Sequence, residues 1–308
     1  MNSVRVFAPA SVGNIGPGFD ILGMALSGMG DTIIAERRSG PGVFISEITG
    51  DEGRLPRAAS KNTAGIAVQE VLNYLGLEEA GVSLSLHKDI PGTGLGSSAA
   101  SAVAGAYAAN LLFGKTLSKE ALIPMAAVAE SKVSGALFLD NVGPSMVGGV
   151  TWNNAFTKEI VSLGAIEEAV IVIVTPDFPL LTKEGRNVLP TVVPMSDFVS
   201  NMTYASMISW AVARKDLKRF GRSIQDRFAE PARAPLIKGF CDVKEAALSS
   251  GALGCSISGA GSTVFAITDD ESRGEEIARA MSDGFDAHSV KSHTRVTQMD
   301  LEGVRRIV

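Results

Sequence analysis

The chain has 308 residues, 45% of them hydrophobic, with 33 glycines against 13 prolines, enough for one large core or two medium ones, and this length favours two domains. Its 28 Lys and Arg against 33 Asp and Glu leave a net charge of -5, with no basic stripe for nucleic acid and no polybasic patch for a membrane, so a small molecule is the expected partner. The start MNSVRVFAPA lacks a leader pattern and no apolar run approaches the ~18 residues of a membrane span, so a cytoplasmic protein is expected.

From the N-terminus, Val4 to Phe7 reads as a strand. A glycine-rich turn, Gly13 to Gly18, leads into the apolar segment Phe19 to Leu26, and Asp31 to Arg37 reads as a second strand. Val43 and Ile45 alternate between turn residues as in a strand. Ile66, Val68, Val71 and Leu72 predict a helix over about Asn62 to Tyr74. Val82, Leu84 and Leu86 alternate with Ser83, Ser85 and His87, the period of a half-buried strand. That strand runs into PGTGLGSSAASA, Pro91 to Ala102, whose alanine-rich continuation to Phe113 predicts a closely packed helix. A further helix, about Lys119 to Ser131, sets Leu122, Met125, Ala126 and Ala129 on one face.

DNVGPSMVGG, Asp140 to Gly149, reads as a turn, since Asp-Asn ahead of Gly-Pro is turn chemistry. Asn153 to Gly164 reads as an irregular crossing between two halves. A strand follows at Ala169 to Thr175, then helices near Met195 to Ala213, Leu217 to Phe228 and Leu236 to Ser249. Short strands at Cys255 to Ser258 and Thr263 to Ile267, a helix over Ser272 to Phe285 and a strand near Ser289 to Thr294 complete the chain. Strand, helix, strand, strand, helix, strand is the order of a ferredoxin-like domain with extra helices in its first crossover. Cys241 and Cys255 are expected as free, buried thiols in a reducing compartment, and His87, His288 and His293 sit at no zinc-ligand spacing.

The stretch PGTGLGSSAASA fits neither a lysine-bearing P-loop nor a dinucleotide fingerprint. Its alternating Gly92, Gly94 and Gly96 let backbone N–H groups approach an anion, and the following helix offers its N-terminal N–H groups and dipole to the same spot. Ser97 and Ser98 add hydroxyls able to join a magnesium shell. The same residues also describe a glycine turn with a serine cap, and the loop alone does not separate the two. Glu130 falls at the edge of the apolar face of its helix, where a carboxylate requires a cation or a donor. A metal ligand and a salt-bridged helix residue read alike there. SISGAGSTVFA, Ser256 to Ala266, joins two short strands as a hairpin would.

Taken together, PASVGNIGPGFD (Pro9 to Asp20), PGTGLGSSAASA and SISGAGSTVFA resemble the three motifs of the GHMP small-molecule kinases, in that family's order and at about its separations. DNVGPSMVGG and TKEGRNVLP (Thr182 to Pro190) resemble its branch that acts on L-homoserine, so the resemblance spans nearly the whole chain. It implies an α+β fold in two domains, a ribosomal-protein-S5-like one over 1–160 and a ferredoxin-like one over 161–308. It also implies ATP and Mg2+ as cofactors, phosphorylation of the L-homoserine hydroxyl on the way to threonine, and a homodimer.

Carried over residue by residue, the resemblance implies that Pro91, Gly92, Thr93, Gly94, Leu95, Gly96, Ser97, Ser98, Ala99, Ala100 and Ser101 cradle the ATP phosphates. Asn62 and Lys88 would lie near the nucleotide, and Ser98 and Glu130 would hold the magnesium. Asn14, Asp20 and Asp140 would contact the amino acid, and Arg186 and Arg233 would grip its carboxylate through paired hydrogen bonds. Asp140 is the candidate to accept or orient the hydroxyl proton, and a carboxylate meeting the substrate ammonium would look the same.

The chain departs from that pattern where the branch usually has a glycine after the glutamate and His-Pro before the Asp-Asn. Those places hold Ser131, Phe138 and Leu139, so the imidazole contact to substrate is missing and Phe138 is expected to make the acceptor pocket more apolar. Ser262 replaces the usual proline of the third motif. Two further readings stand beside the leading one: a kinase of the same fold acting on mevalonate, shikimate or a sugar, and a non-catalytic nucleotide-binding regulator.

Overall fold

A computed structural model describes residues 1–90, 94–114, 117–135, 138–154 and 156–308. Strand β1 (Ser3–Gly13) alternates buried Val4 and Val6 with exposed neighbours and is buried from Ala8 onward. Its antiparallel neighbour β2 (Leu22–Arg38) is one strand of 17 residues and absorbs both the apolar segment and the strand expected after it. β4 (Gly81–Lys88) pairs antiparallel with β2 and parallel with β3 (Gly42–Thr49). The sheet order is β11-β1-β2-β4-β3, where β11 is Arg305–Ile307.

Four helices cover this sheet: α1 (Thr63–Tyr74), α2 (Ser97–Leu112), α3 (Lys119–Ser134) and α4 (Leu139–Val147). α2 is built almost wholly of Ala, Ser and Gly in its first ten residues and is buried on nearly every side, as an all-round apolar helix must be. Its small side chains let it lie between the sheet and α1 and α3.

In the second half β7 (Val170–Pro176), β8 (Gly254–Ile257), β9 (Val264–Thr268) and β10 (Ser292–Gln298) form a sheet of order β10-β7-β9-β8, every pair antiparallel. This is the strand order expected of the ferredoxin-like domain. The first crossover carries α5 (Thr182–Asn187), α6 (Met195–Ala213), α7 (Leu217–Arg222), α8 (Ala229–Arg233) and α9 (Phe240–Ser249); α10 (Glu271–Asp286) forms the second. A continuous apolar core joins the halves, with Val12, Leu22 and Met24 packed with Ile171, Ile173 and Phe265.

Several expectations need correction. Asp140 to Gly149 is not a turn but mostly helix α4, because Leu139, Val142 and Met146 recur at helical spacing and bury into the first core, and tertiary packing outweighs weak local preference. Asn153 to Gly164 is no crossing: β5 (Val150–Asn154) and β6 (Glu159–Gly164) pair as a hairpin, and β5 adds to β2. The helix expected over Leu217 to Phe228 stops at Arg222, since the Asp226 carboxylate accepts from the N–H groups of Phe228, Ala229 and Glu230 and starts α8 instead. Cys241 is exposed rather than buried, while burial pushes the Cys255 thiol up to about 12.

α4 lies so close to β2 that a Cβ built on Gly23 would stand 1.7 Å from the Asp140 carbonyl oxygen. Gly23→Ala is expected to cost about 1–3 kcal/mol through overpacking and to shift α4 away from β2. Urea unfolding reads this as a lower midpoint at constant slope; an unchanged midpoint would show that this contact does not hold α4.

Candidate active site

The first glycine motif leaves β1 through a run of left-handed residues, with φ of 69° at Asn14, 48° at Ile15 and 60° at Asp20. Side chains other than glycine rarely adopt this conformation, a β-branched one least of all, so outside contacts must hold it. Asn14 Nδ2 donates to the Gly259 carbonyl at 3.1 Å, Asn14 Oδ1 accepts from the Asp20 N–H at 3.0 Å, and the Gly259 N–H reaches the Gly13 carbonyl at 3.1 Å. The first motif is thus fastened to the third.

The second motif is fastened to both. Gly94 has φ +88°, and a Cβ there would lie 2.5 Å from the Ser258 carbonyl oxygen. At Gly96, with φ +60°, a Cβ would lie 2.1 Å from Ser11 Oγ. Ser258 Oγ donates to the Gly94 carbonyl at 2.6 Å, and the Ser11 N–H donates to Leu95 at 3.1 Å. Only glycine combines this backbone with these approaches. α2 then begins at Ser97 with no side-chain cap, and Ser97 Oγ donates to the Ile90 carbonyl at 2.5 Å. The serine-cap alternative is therefore absent, and the first-turn N–H groups remain available to an anion.

These segments surround a cavity of ≈ 150 Å³, which Gly94, Gly96, Ser97 and Ser98 line on one side. Asn14 and Asp20 enter it from the first motif, Glu130 from α3, Asp140 from α4, Arg186 from α5 and Arg233 from α8. Arg186 Nη2 donates to both Asp20 oxygens, at 2.9 and 2.8 Å. Its guanidinium carbon lies over the rings of Phe19, 5.5 Å from the centroid, and Phe138, 5.2 Å from it. Arg186 Nε is buried with no hydrogen-bond partner among the described residues. Arg233 is anchored by the carbonyls of Gly185, at 3.0 Å from Nε, and Gly259, at 2.7 Å from Nη1, and burial pulls its pKa below the ordinary value.

Asp140 is 2% exposed. Burial, and then the neighbouring Asp20 charge, push its carboxyl from 3.8 to about 7, against backbone hydrogen bonds and Arg186 that act the other way. Asn141 Nδ2 reaches Asp140 Oδ1 at 3.3 Å and accepts through its own Oδ1 from Ser11 Oγ at 3.0 Å. Phe138 lines the cavity while Leu139 turns into the core.

A second cavity of ≈ 180 Å³ adjoins the first, sharing Ser97 and Ser98 and bounded by Leu55, Pro56, Asn62 and Val133. Asn62 caps α1 through Ala64 N–H at 3.0 Å and donates to the Pro56 carbonyl at 3.1 Å, which shapes this wall. Lys88 also borders it, yet its ammonium is committed to Asp31, Ser101 and the Ser97 carbonyl. Leu95, Ala99 and Ala100 are buried in the apolar cores and Ser101 faces Asp31, so they shape the loop from behind. Pro91, Gly92 and Thr93 lie outside the described residues.

Phe19, Thr182 and the Gly259 carbonyl belong to the site without having been expected there. Phe19 sits inside the first motif, but an apolar residue beside a glycine carries no local mark of a cation stack. Thr182 opens the segment TKEGRNVLP, whose Arg186 alone drew attention.

Comparison with known proteins places the chain in a family. Residues 62–149 match the GHMP kinases N terminal domain and residues 208–287 the GHMP kinases C terminal domain. The homoserine kinase of Arabidopsis thaliana is 42% identical over 315 residues, covering 99% of this chain and 85% of that protein. That of Chloroherpeton thalassium is 38% identical over 296 residues, covering 92% and 93%. The crystal structure of homoserine kinase from Cytophaga hutchinsonii superposes with a TM-score of 0.95 at 40% identity, over 100% of this chain and 98% of the other. Among the described residues no helix is long and apolar enough to cross a membrane.

The raised Asp140 pKa has a definite sign. A carboxyl whose pKa goes up on folding favours the fold below about pH 4, and that contribution is lost as the pH rises through about 7. Asp140→Asn is expected to be more stable than the wild type at pH 8, on the order of 4 kcal/mol, with the gap closing toward pH 4. Thermal unfolding across that range measures it, and a gap independent of pH would remove the buried carboxylate as its cause.

Proposed function

Because the chain belongs to the GHMP kinases, we propose that it transfers the γ-phosphoryl group of ATP to the side-chain hydroxyl of L-homoserine. One observation carries the choice of acceptor: Arg186 and Arg233 enter the same cavity as the carboxylates Asp20 and Asp140, beside Glu130 and the uncapped start of α2. An amino-acid zwitterion needs both sets. The buried, unpartnered Nε of Arg186 and the anchored guanidinium of Arg233 suit its carboxylate, and Asp20 suits its ammonium. Mevalonate would bring a carboxylate but no ammonium for the acidic set, and a sugar would need neither.

Phosphoryl transfer proceeds through a loose transition state, so alignment and charge neutralisation dominate. The N–H groups of Gly96 to Ala99 meet phosphate oxygens at the positive end of α2. The nucleoside occupies the adjoining cavity beside Asn62 and Val133. Ser98 and Glu130, which line the acceptor cavity together, fit a magnesium ion, whose usual shell is one or two carboxylates with phosphate and water. When bound, magnesium neutralises charge on the transferred group. Asp140 takes the hydroxyl proton, its pKa of about 7 being matched to proton transfer near neutral pH. The presence of Glu130 and Ser98 in the same cavity favours catalysis over a purely regulatory nucleotide site.

The same proposal makes the protein a cytoplasmic homodimer, with the exposed Met195, Phe198, Val199 and Met202 of α6 available to a second copy. Its nucleotide domain spans 1–160 and its ferredoxin-like domain 161–308, with β6 and β11 completing the first sheet.

Coupled ADP release is expected with L-homoserine and not with L-serine, L-threonine or mevalonate; preference for another acceptor would overturn the assignment. Glu130→Gln is expected to lower kcat by about 10²-fold or more with little change in the unfolding midpoint. Near-normal turnover at saturating magnesium would remove Glu130 from the metal site.

A further inference from the structure

Behind the phosphate loop lies a closed ring of hydrogen bonds that the proposed chemistry does not use. Asp31 of β2 and Lys88 of β4 face each other directly across the sheet, and both point to the start of α2. They are 0% and 4% exposed, and Ser101, one turn into α2, is 2% exposed. Lys88 Nζ donates to Asp31 Oδ2, to Ser101 Oγ at 2.9 Å and to the Ser97 carbonyl at 2.9 Å. Ser101 Oγ closes the ring by donating to Asp31 Oδ2 at 2.6 Å. All three ammonium protons are therefore spoken for. Asp31 Oδ1 is buried with no partner among the described residues, and burial raises the carboxyl pKa despite Lys88.

We infer that Asp31, Lys88 and Ser101 are positioning residues for the nucleotide, acting through Ser97 to set the direction of the first N–H groups of α2. This rests on the ATP site proposed above. A buried ion pair is a poor source of stability, since desolvation offsets its attraction. What the ring supplies is geometry. Ser97 is held twice, by Lys88 at its carbonyl and by its own hydroxyl on Ile90 at 2.5 Å, in a helix start that lacks a side-chain cap. Lys88 thus serves the phosphates from behind, and no lysine reaches them from this position. Hydrogen bonds to a charged group fix the orientation more firmly than neutral ones, so the N–H groups point at the phosphate position before ligand arrives.

Ser101→Ala and Asp31→Asn test the inference in the full chain, with Mg-ADP binding measured by calorimetry and KM measured for ATP and for the acceptor. Ser101→Ala removes the ring's hydroxyl at small structural cost and is decisive if Asp31→Asn does not fold. Mg-ADP affinity and KM for ATP are expected to worsen by about tenfold, with the acceptor KM unchanged. Nucleotide binding within twofold of wild type in the folded variant would overturn the inference, as would equal losses for nucleotide and acceptor, the mark of general loosening. Wild-type protein that does not bind Mg-ADP would instead overturn the ATP site itself, a result separable from both.

Discussion

The active cavity exists because three backbone segments approach one another more closely than side chains would permit. At Gly94 the main chain lies against the carbonyls of Ser258 and Gly261, and at Gly96 against Ser11. These contacts bring the ends of β1, the start of α2 and the β8–β9 hairpin to one point, although they come from sequence positions about 80 and 165 residues apart. Several polar groups of the site are hung on this junction. Asn14 holds Gly259, Gly259 holds Arg233, and Ser11 holds Asn141 beside Asp140. A continuous apolar core beneath, from Val12 to Phe265, keeps the two halves from drifting apart.

Electrostatics sets the second constraint. Asp20, Asp140, Arg186 and Arg233 share one small cavity, and burial makes any net charge there costly. The protein answers with pairing where it can, Arg186 on Asp20, and with a raised pKa where it cannot, at Asp140. The rings of Phe19 and Phe138 both lie within cation–π range of the Arg186 guanidinium. Phe138 thereby makes the wall apolar, as its place in the sequence suggested, and also stacks on a cation, which its place in the sequence did not suggest.

Much of the fold is legible from periodicity. The alternation of Val82, Leu84 and Leu86 marks β4, the helix expected over Met195 to Ala213 is α6, and the second half carries its strands and helices in the expected chain order. Two of the failures share one cause. DNVGPSMVGG carries turn chemistry but packs as α4, and the segment after it carries weak strand signal but pairs with β2. In both, long-range neighbours outweigh the local preference, which in α4 includes an internal Pro144 worth about 3 kcal/mol against a helix interior.

The sequence by itself determined the three glycine motifs, the elements that carry them and the inventory of charged residues at the site, because glycine placement and hydrophobic period are local properties. Tertiary structure alone decided which way those charges face. Lys88 reads as a residue near the nucleotide; it borders the second cavity, yet its ammonium is turned inward onto Asp31 and Ser101. Asp140 reads as an ordinary carboxylate until burial and Asp20 raise its pKa. Side-chain direction and desolvation depend on atoms contributed by segments far away in the chain, and local sequence carries no record of them.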